Sequence, residues 1–427
     1  ATRHLVLLTG APGAGKTLVG LQIAHTPELQ ALAVECDMRR RGAPAVFLSG
    51  NGPLVDVLQD ALKHKSGAGA PLVKGIKKYL RYHCIERLSA IPPEHILIFD
   101  EAQRAWSSDL VNSRHNVEAS EPELLLTVAE KIPCWSVVLA LIGEGQEIYQ
   151  GEEGGIQQWV DALSKCNTVT WQIHCPPHLQ DAFAAIATSC NNEPLLHLNV
   201  SLRTHQAEML HAWVALLLNN PLDNLNALQR MASEITASGY PLYITDSLDT
   251  AKAYVRERYA DSGKRFGLLA SRYAGSLLQI GIDNKQYWGR ENRHKNLNYI
   301  RWFNADPHEP ESCCSLSRPA TEFECQGLEV DFPVLVWGDD YTFDGEHWDA
   351  KMQTTARIKD VRTIRMNAYR VLMTRGRDGL CVYIPTDHSR FSAKLSETKQ
   401  LLIAAGMHEL SDELEPGCSR KSGNVSI

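Results

Sequence analysis

Short runs of consecutive apolar residues recur along the chain, and most are followed by a segment with helical spacing. Leu5 to Leu8 comes first, ahead of an amphipathic stretch with Leu18, Leu21, Ile23 and Ala24 that extends to about His25. Ala45-Val46-Phe47-Leu48 is next, followed by Leu54, Val55, Leu58 and Leu62. Ile96 to Phe99, Val137 to Ile142, Thr168 to Ile173 and Leu195 to Val200 continue the series. These runs do not alternate apolar with polar residues, so the strands they predict must be covered by helices on both faces. The pattern then begins again. Pro241 to Thr245 predicts a strand, Ser247 an N-cap with Asp249 in the first turn, and Thr250 to Tyr259 a helix. Phe266 to Ala270, Pro333 to Trp337 and Leu380 to Ile384 supply further strands. The repetition predicts an α/β protein of two tandem domains, 1–198 and 199–414, each with a parallel sheet. Residues 415–427 are polar, contain glycine and read as a flexible tail.

Composition narrows the classes. With 427 residues the chain is long enough for two separate cores. A net charge of −7 excludes a surface coated in basic residues but leaves room for a local basic groove. No apolar run approaches the roughly 20 residues of a membrane span, and no signal peptide is visible, so no membrane partner is expected. The 11 cysteines form no CxxC pair, which favours free thiols and a cytoplasmic location. A zinc cluster of His308, Cys313, Cys314 and Cys325 would fit none of the usual spacings. The chain lacks an initial Met and its first apolar run starts almost at once, the pattern of a module whose upstream domain or effector is missing.

The first apolar run ends in Gly10-Ala11-Pro12-Gly13-Ala14-Gly15-Lys16-Thr17-Leu18. A strand, a glycine loop and a helix start are the context of a phosphate-binding P-loop. Glycines let backbone N–H groups close around a phosphate, and the helix N-terminus adds partial positive charge. Lys16 would reach the β- and γ-phosphates of a nucleoside triphosphate, and the Thr17 hydroxyl would hold Mg²⁺. Ile96 to Phe99 ends in Asp100-Glu101, two carboxylates where ligands of parallel sheets bind. Asp100 suits the Mg²⁺ shell, and Glu101 suits orienting or deprotonating the attacking water. The next run ends in Gly143-Glu144-Gly145-Gln146, with Gln146 placed to sense the γ-phosphate. Glu144, Glu147, Glu152 and Glu153 make that surface acidic, so nucleic acid is not expected directly on it.

The second half has no glycine loop of its own. It carries Arg203 near its entrance and Arg375 near its end, which suit arginine fingers supplied to a triphosphate bound elsewhere. Lys74, Lys77, Lys78 and Arg81 predict one basic helix face, solvated rather than in contact with phosphate. Between Tyr273 and Thr321, Lys285, Tyr287, Trp288, Arg290, Arg293, Lys295, Arg301, Trp302 and Phe303 interleave cations with rings. That mixture serves single-stranded nucleic acid, with Trp288 and Trp302 as candidate stacking platforms; the alternative puts the rings in the core.

In chain order, GAPGAGKT, FDEAQ, GEGQ, SLRT, TEFECQGLE and YRVLMTRGR resemble the motif series of superfamily 1 helicases. The wording of LSGNGPL, DEAQRAW, GEGQEIY, TEFECQGLEVD and NAYRVLMTRGRDG closely resembles the Schlafen-like group 3 DNA/RNA helicase domain family, over nearly the whole chain. The resemblance implies two tandem RecA-like domains with ATP between them. It carries Lys16, Thr17, Asp100, Glu101 and Gln146 into the roles argued above, and Arg203 and Arg375 into those of γ-phosphate arginines. By the same resemblance Gly327 and Glu329 lie near the nucleotide and its ribose, and Ser49, Asn51 and Thr321 contact the nucleic-acid backbone. Three departures stand out. The glutamine that reads adenine in many members is absent or lies before Ala1, so adenine selectivity is left open. Gly143-Glu144 stands where the superfamily has Gly-Asp, and accessory insertions are short or missing, which makes ATP hydrolysis a firmer expectation than strand separation.

The expected function is a nucleic-acid-dependent ATPase acting as a DNA or RNA helicase or translocase, with ATP and Mg²⁺ as cofactors and a single strand as partner. The alternative is an ATP-gated switch controlling an attached effector such as a nuclease. A small-molecule phosphotransferase ranks last, because it leaves Arg203, QGLE and TRGR without work.

Overall fold

The structure, a computed structural model, describes residues 2–10, 14–26, 29, 44–63, 72–115, 117–143, 155–166, 169–184, 189–198, 202–260, 262–282, 297–325, 327–351, 360–386 and 392–410. The chain divides into two compact units, Ala1–Glu208 and Met209–Ile427. The division falls inside the helix Leu202–Asn219.

The first unit is built on an 8-stranded sheet. Its strands are β1 (Thr2–Gly10), β2 (Ala45–Ser49), β3 (Val73–Gly75), β4 (Ile96–Asp100), β5 (Trp135–Gly143), β6 (Trp171–Cys175), β7 (Ser189–Asn192) and β8 (His197–Leu198). They lie in the order β3-β2-β4-β5-β1-β6-β7, with β8 beside the end of β1. Every pairing is parallel. Successive side chains of a strand point to opposite faces, so each unbroken apolar run feeds two cores. Leu5, Leu7, Val46, Leu48, Leu97 and Phe99 pack on one face, with Leu125, Trp159 and Phe183 from covering helices. Leu8, Ala45, Phe47, Ile96 and Ile98 pack on the other, under α1 (Lys16–His25) and the helix Gly52–Lys63.

Helix α1 lies very close to the sheet. A Cβ on Gly20 would stand 2.7 Å from Leu141 Cδ1, 3.0 Å from Phe47 Cε2 and 3.1 Å from Ile98 Cγ2. The register sets Gly10 opposite Gly143 and Ser49 opposite Asp100. The ends of β1, β5, β4 and β2 therefore share one edge.

The second unit has a 6-stranded sheet in the order β11-β10-β12-β15-β9-β16. Its strands are β9 (Leu242–Thr245), β10 (Phe266–Ala270), β11 (Ala320–Thr321), β12 (Phe332–Val336), β15 (Leu380–Tyr383) and β16 (His408–Glu409), all parallel. An antiparallel pair, β13 (Tyr341–Phe343) and β14 (Trp348–Ala350), stands apart. Tyr341 and Trp348 stack at 4.6 Å, and the Tyr341 hydroxyl and Trp348 Nε1 donate to Leu218 O and Leu217 O. Ser247 caps the helix Leu248–Arg258 by accepting from Thr250 N, as its spacing predicts.

Three expectations are corrected. The strand expected over Leu195 to Val200 is a 3₁₀ turn, Pro194–Leu196, followed by the two residues of β8; Pro194 has no N–H to give a ladder. Lys74 belongs to β3 rather than to the basic helix, because Val73 to Gly75 pair with Phe47 to Ser49. Trp302 is a core residue: it is 4 % exposed, donates Nε1 to Arg318 O, and presses its ring against Gly267. The tail 415–427 lies outside the described residues.

Candidate functional site

Gly15 closes the glycine loop at φ 92, the left-handed region that a Cβ disfavours, and α1 starts at the next residue. Lys16 Nζ donates to Gly10 O at 2.6 Å, and the Lys16 stem runs beside Gly143. Ala11, Pro12, Gly13 and Gln146 lie outside the described residues. The Thr17 hydroxyl donates to Asp100 Oδ1 at 3.1 Å. Two elements far apart in sequence thus set a hydroxyl and a carboxylate side by side, as the motifs require.

Asp100 is 3 % exposed. Burial pushes its carboxyl up to about 7, Glu101 adds repulsion, and the Thr17 hydroxyl and Lys16 partly offset both. A buried carboxylate of this kind is stabilised by a cation. The donor set of hydroxyl and carboxylate oxygens fits Mg²⁺, which takes few protein ligands and completes its shell with phosphate and water. No group of three or more His, Cys, Asp and Glu able to hold a metal occurs among the described residues.

Glu101 leaves the strand with φ 55 and ψ 43, and the chain turns at once into the 3₁₀ segment Ala102–Arg104. This left-handed turn swings its carboxylate off the line of β4. Oε2 accepts from Gln103 Nε2 at 2.6 Å and lies 3.5 Å from Arg104 Nε. The other end of the same amide, Gln103 Oε1, accepts from Gly143 N at 2.8 Å. Gln103 therefore ties the carboxylate after β4 to the last residue of β5. Two bonds from the helix Gln157–Lys165 hold this turn, Trp159 Nε1 to Ala102 O and Gln158 Nε2 to Ala105 O. The sequence pattern alone gives Gln103 no role; its partners become visible only when β4 and β5 are neighbours.

In the second unit, the segment after β11 meets the end of the helix Val361–Met373. Arg377 Nε pairs with Glu329 Oε2 at 3.0 Å, and Val330 N donates to Arg375 O. Gly327 sits at φ 73. The Arg375 side chain folds over its own helix end, donating to Val371 O and Thr374 Oγ1. Half-buried His211 is pushed down to about 4, first by desolvation and then by Arg375 and Arg370. Arg203 lies in the helix Leu202–Asn219, its side chain outside the described part.

The residues expected to touch nucleic acid are less exposed. Ser49 and Thr321 are 2 % and 1 % exposed. Ser49 Oγ accepts from Asn51 N, Asn51 Oδ1 accepts from Leu54 N, and Thr321 Oγ1 donates to Glu324. These side chains serve turns and a helix cap, and neither hydroxyl faces outward. Trp288 lies outside the described residues. Of the basic cluster, Lys74 pairs with Glu94, Arg81 with Glu86, and Lys77 lies 3.5 Å from the Trp106 ring centre.

Among solved structures, the chain resembles arterivirus nonstructural protein 10, a helicase, at 10 % identity and TM-score 0.28, covering 90 % of this chain and 60 % of that one. It resembles a DEAD box protein from the hyperthermophile Methanococcus jannaschii at 9 % identity and TM-score 0.25, covering 95 % and 87 %. For the Hef helicase domain of Pyrococcus furiosus the figures are 12 %, 0.27, 89 % and 92 %. No curated protein matches. No helix among the described residues is long and apolar enough to cross a membrane. The family model described as Schlafen group 3, DNA/RNA helicase domain, matches residues 3–386, and the chain belongs to that family.

Proposed function

We propose that this chain is a nucleic-acid-dependent ATPase of the superfamily 1 type, two tandem RecA-like domains that act as a helicase or translocase on single-stranded DNA or RNA. The observation that carries the ATPase reading is the Thr17–Asp100 contact, with Lys16 and Glu101 at the same sheet edge. Thr17 and Asp100 would hold Mg²⁺, which neutralises charge on the β- and γ-phosphates. Lys16 binds those phosphates. Glu101, oriented by Gln103, accepts a proton from the attacking water, and Gln146 senses the γ-phosphate. Arg375 and Arg203 offset the negative charge that develops on the transferring phosphoryl group, and Gly327 and Glu329 meet the nucleotide and ribose. A cytoplasmic setting remains part of the same reading.

A second reading has an observation of its own. Because Ser49, Thr321 and Trp302 are withdrawn from the surface, an ATP-gated switch that controls an effector needs no strand contact from them. ATP turnover measured with single-stranded DNA, single-stranded RNA, duplex and no nucleic acid separates the two. Stimulation by a single strand supports the first; turnover indifferent to all three supports the second.

A further inference from the structure

Two thiols meet across the edge of the first unit's sheet. The register pairs Ile173 with Cys190 and Cys175 with Asn192, so Cys175 and Cys190 stand on a diagonal of one face of β6 and β7. Their sulfurs lie 3.4 Å apart. Cys175 belongs to the core on that face, and Cys190 packs against it. Cys175 is 0 % exposed, whereas Cys190 is half-buried and keeps part of its surface in solvent.

Other thiols are placed differently. Cys84 and Cys166, on the same core, donate to the backbone carbonyls Leu124 O and Ala162 O. The sulfurs of Cys313 and Cys314 lie 3.9 Å apart. Those two are chain neighbours, so a bond between them must close a tight ring over their own peptide, and at 0 % and 7 % exposure neither is open to solvent. Cys175 and Cys190 combine what a redox pair needs: a sulfur that solvent reaches, a second sulfur against it, and 15 positions of sequence between them.

A disulfide bond is about 2.05 Å long, so the two sulfurs have to close by about 1.3 Å. The strand that must give is β7. It is the last in the sheet order, beside β6, and a strand with one neighbour shifts more easily than one held on both sides. Burial, and then the contact with Cys190, push the Cys175 thiol up to about 12. Cys175 therefore keeps its proton at neutral pH, and Cys190 is the sulfur that meets an oxidant first.

We propose that Cys175 and Cys190 are a reversible oxidation site, at which hydrogen peroxide from solution installs a disulfide that fastens the edge strand β7 to β6. The Cys190 sulfur attacks one peroxide oxygen, the O–O bond breaks, and the departing hydroxyl leaves as water with the Cys190 proton. Cys190 is then a sulfenic acid. The Cys175 sulfur attacks the Cys190 sulfur, the S–O bond breaks, and the hydroxyl leaves as water with the Cys175 proton. Two thiols and one peroxide become one disulfide and two waters, and a dithiol reductant reopens the bond by exchange. Neither ATP nor nucleic acid enters this chemistry, which is independent of the ATPase reading. As an edge strand, β7 is readily released, and its release bares a pairing edge on β6. The disulfide opposes that release under oxidising conditions.

The test treats the full chain with hydrogen peroxide, unfolds it, blocks the remaining thiols with N-ethylmaleimide and maps linked peptides by mass spectrometry. The expected product joins the peptides of Cys175 and Cys190, is lighter than the two free peptides by two hydrogens, and is reopened by dithiothreitol. Hydrogen exchange of the β7 amides should slow by about tenfold or more on oxidation of the wild type, and not in Cys190→Ser. In Cys175→Ser no thiol resolves Cys190, and dimedone should trap its sulfenic acid. The wild type is mapped directly, so the site is tested even if a variant does not fold. Maleimide on both cysteines after peroxide overturns the site. So does a link from either to a different cysteine, or Cys190 carried to sulfinic acid with Cys175 still free. A mapped bond with unchanged exchange in β7 overturns the fastening.

Discussion

Gln103 donates its side-chain amide to Glu101 Oε2 at 2.6 Å while its carbonyl accepts Gly143 N at 2.8 Å. One amide thus orients the proposed water-activating carboxylate against a fixed backbone point on β5. Gln103→Leu should leave ATP affinity within a few-fold and lower kcat by about 10–100-fold, the scale on which a misplaced group costs rate. Steady-state ATPase and equilibrium nucleotide binding check it; an unchanged kcat removes the positioning role.

Glu101→Gln keeps the contact geometry but removes the proton acceptor. Nucleotide binding should persist while turnover falls by about 10²–10⁴-fold. Lys16→Ala should instead abolish tight binding. Near-normal turnover by Glu101→Gln would show that another group activates the water.

The Asp100 carboxyl, raised to about 7 against an ordinary 3.8, gives a signed prediction. Between those values the folded chain holds a proton that the unfolded chain has lost. This contribution to stability is full below about 3.8 and is lost as pH rises through about 7. Mg²⁺ with nucleotide favours the ionised form and should expel that proton near neutral pH. Calorimetry in buffers of different ionisation enthalpy should detect the release, and Asp100→Asn should abolish it. Equal proton release by both proteins would locate the titrating group elsewhere.

Arg375→Ala should depress ATP turnover by about 10³-fold or more while changing nucleotide affinity much less, because it is proposed to meet charge that grows in the transition state. Arg203→Ala should act in the same direction. Loss of affinity with unaltered turnover at saturation would assign both arginines to ground-state binding.

Trp302→Ala should cost about 3–5 kcal/mol of stability, as the loss of a large buried ring does. Denaturant unfolding measures it. A wild-type midpoint together with weakened single-strand binding would return the ring to the surface.

Much of the fold was legible because parallel strands buried on both faces leave unbroken apolar runs. Ile96 to Phe99 predicts β4, Phe266 to Ala270 matches β10, and Lys16 begins α1. Lys74 was misread because helical spacing of charges is visible in the sequence while its pairing to β2 is not. Trp302 shows the same limit: a ring beside Arg301 reads alike whether it faces solvent or Gly267. The hydroxyl and carboxylate of Thr17 and Asp100 could be anticipated from their motifs. The bridge through Gln103 could not, since it depends on which strand lies next to β4. Cys175 and Cys190 read as two scattered thiols, and only the pairing of β6 with β7 brings them together.

The absent side chain of Gly20 has a mechanical consequence. Atoms from β5, β2 and β4 fill the space a Cβ would take, so α1 lies seated on three strands at once. A helix so seated moves only when the sheet does. The N-terminal end of α1 is then a fixed bearing, and any stroke that the proposed ATPase drives in the first unit must be taken up by segments other than Lys16–His25.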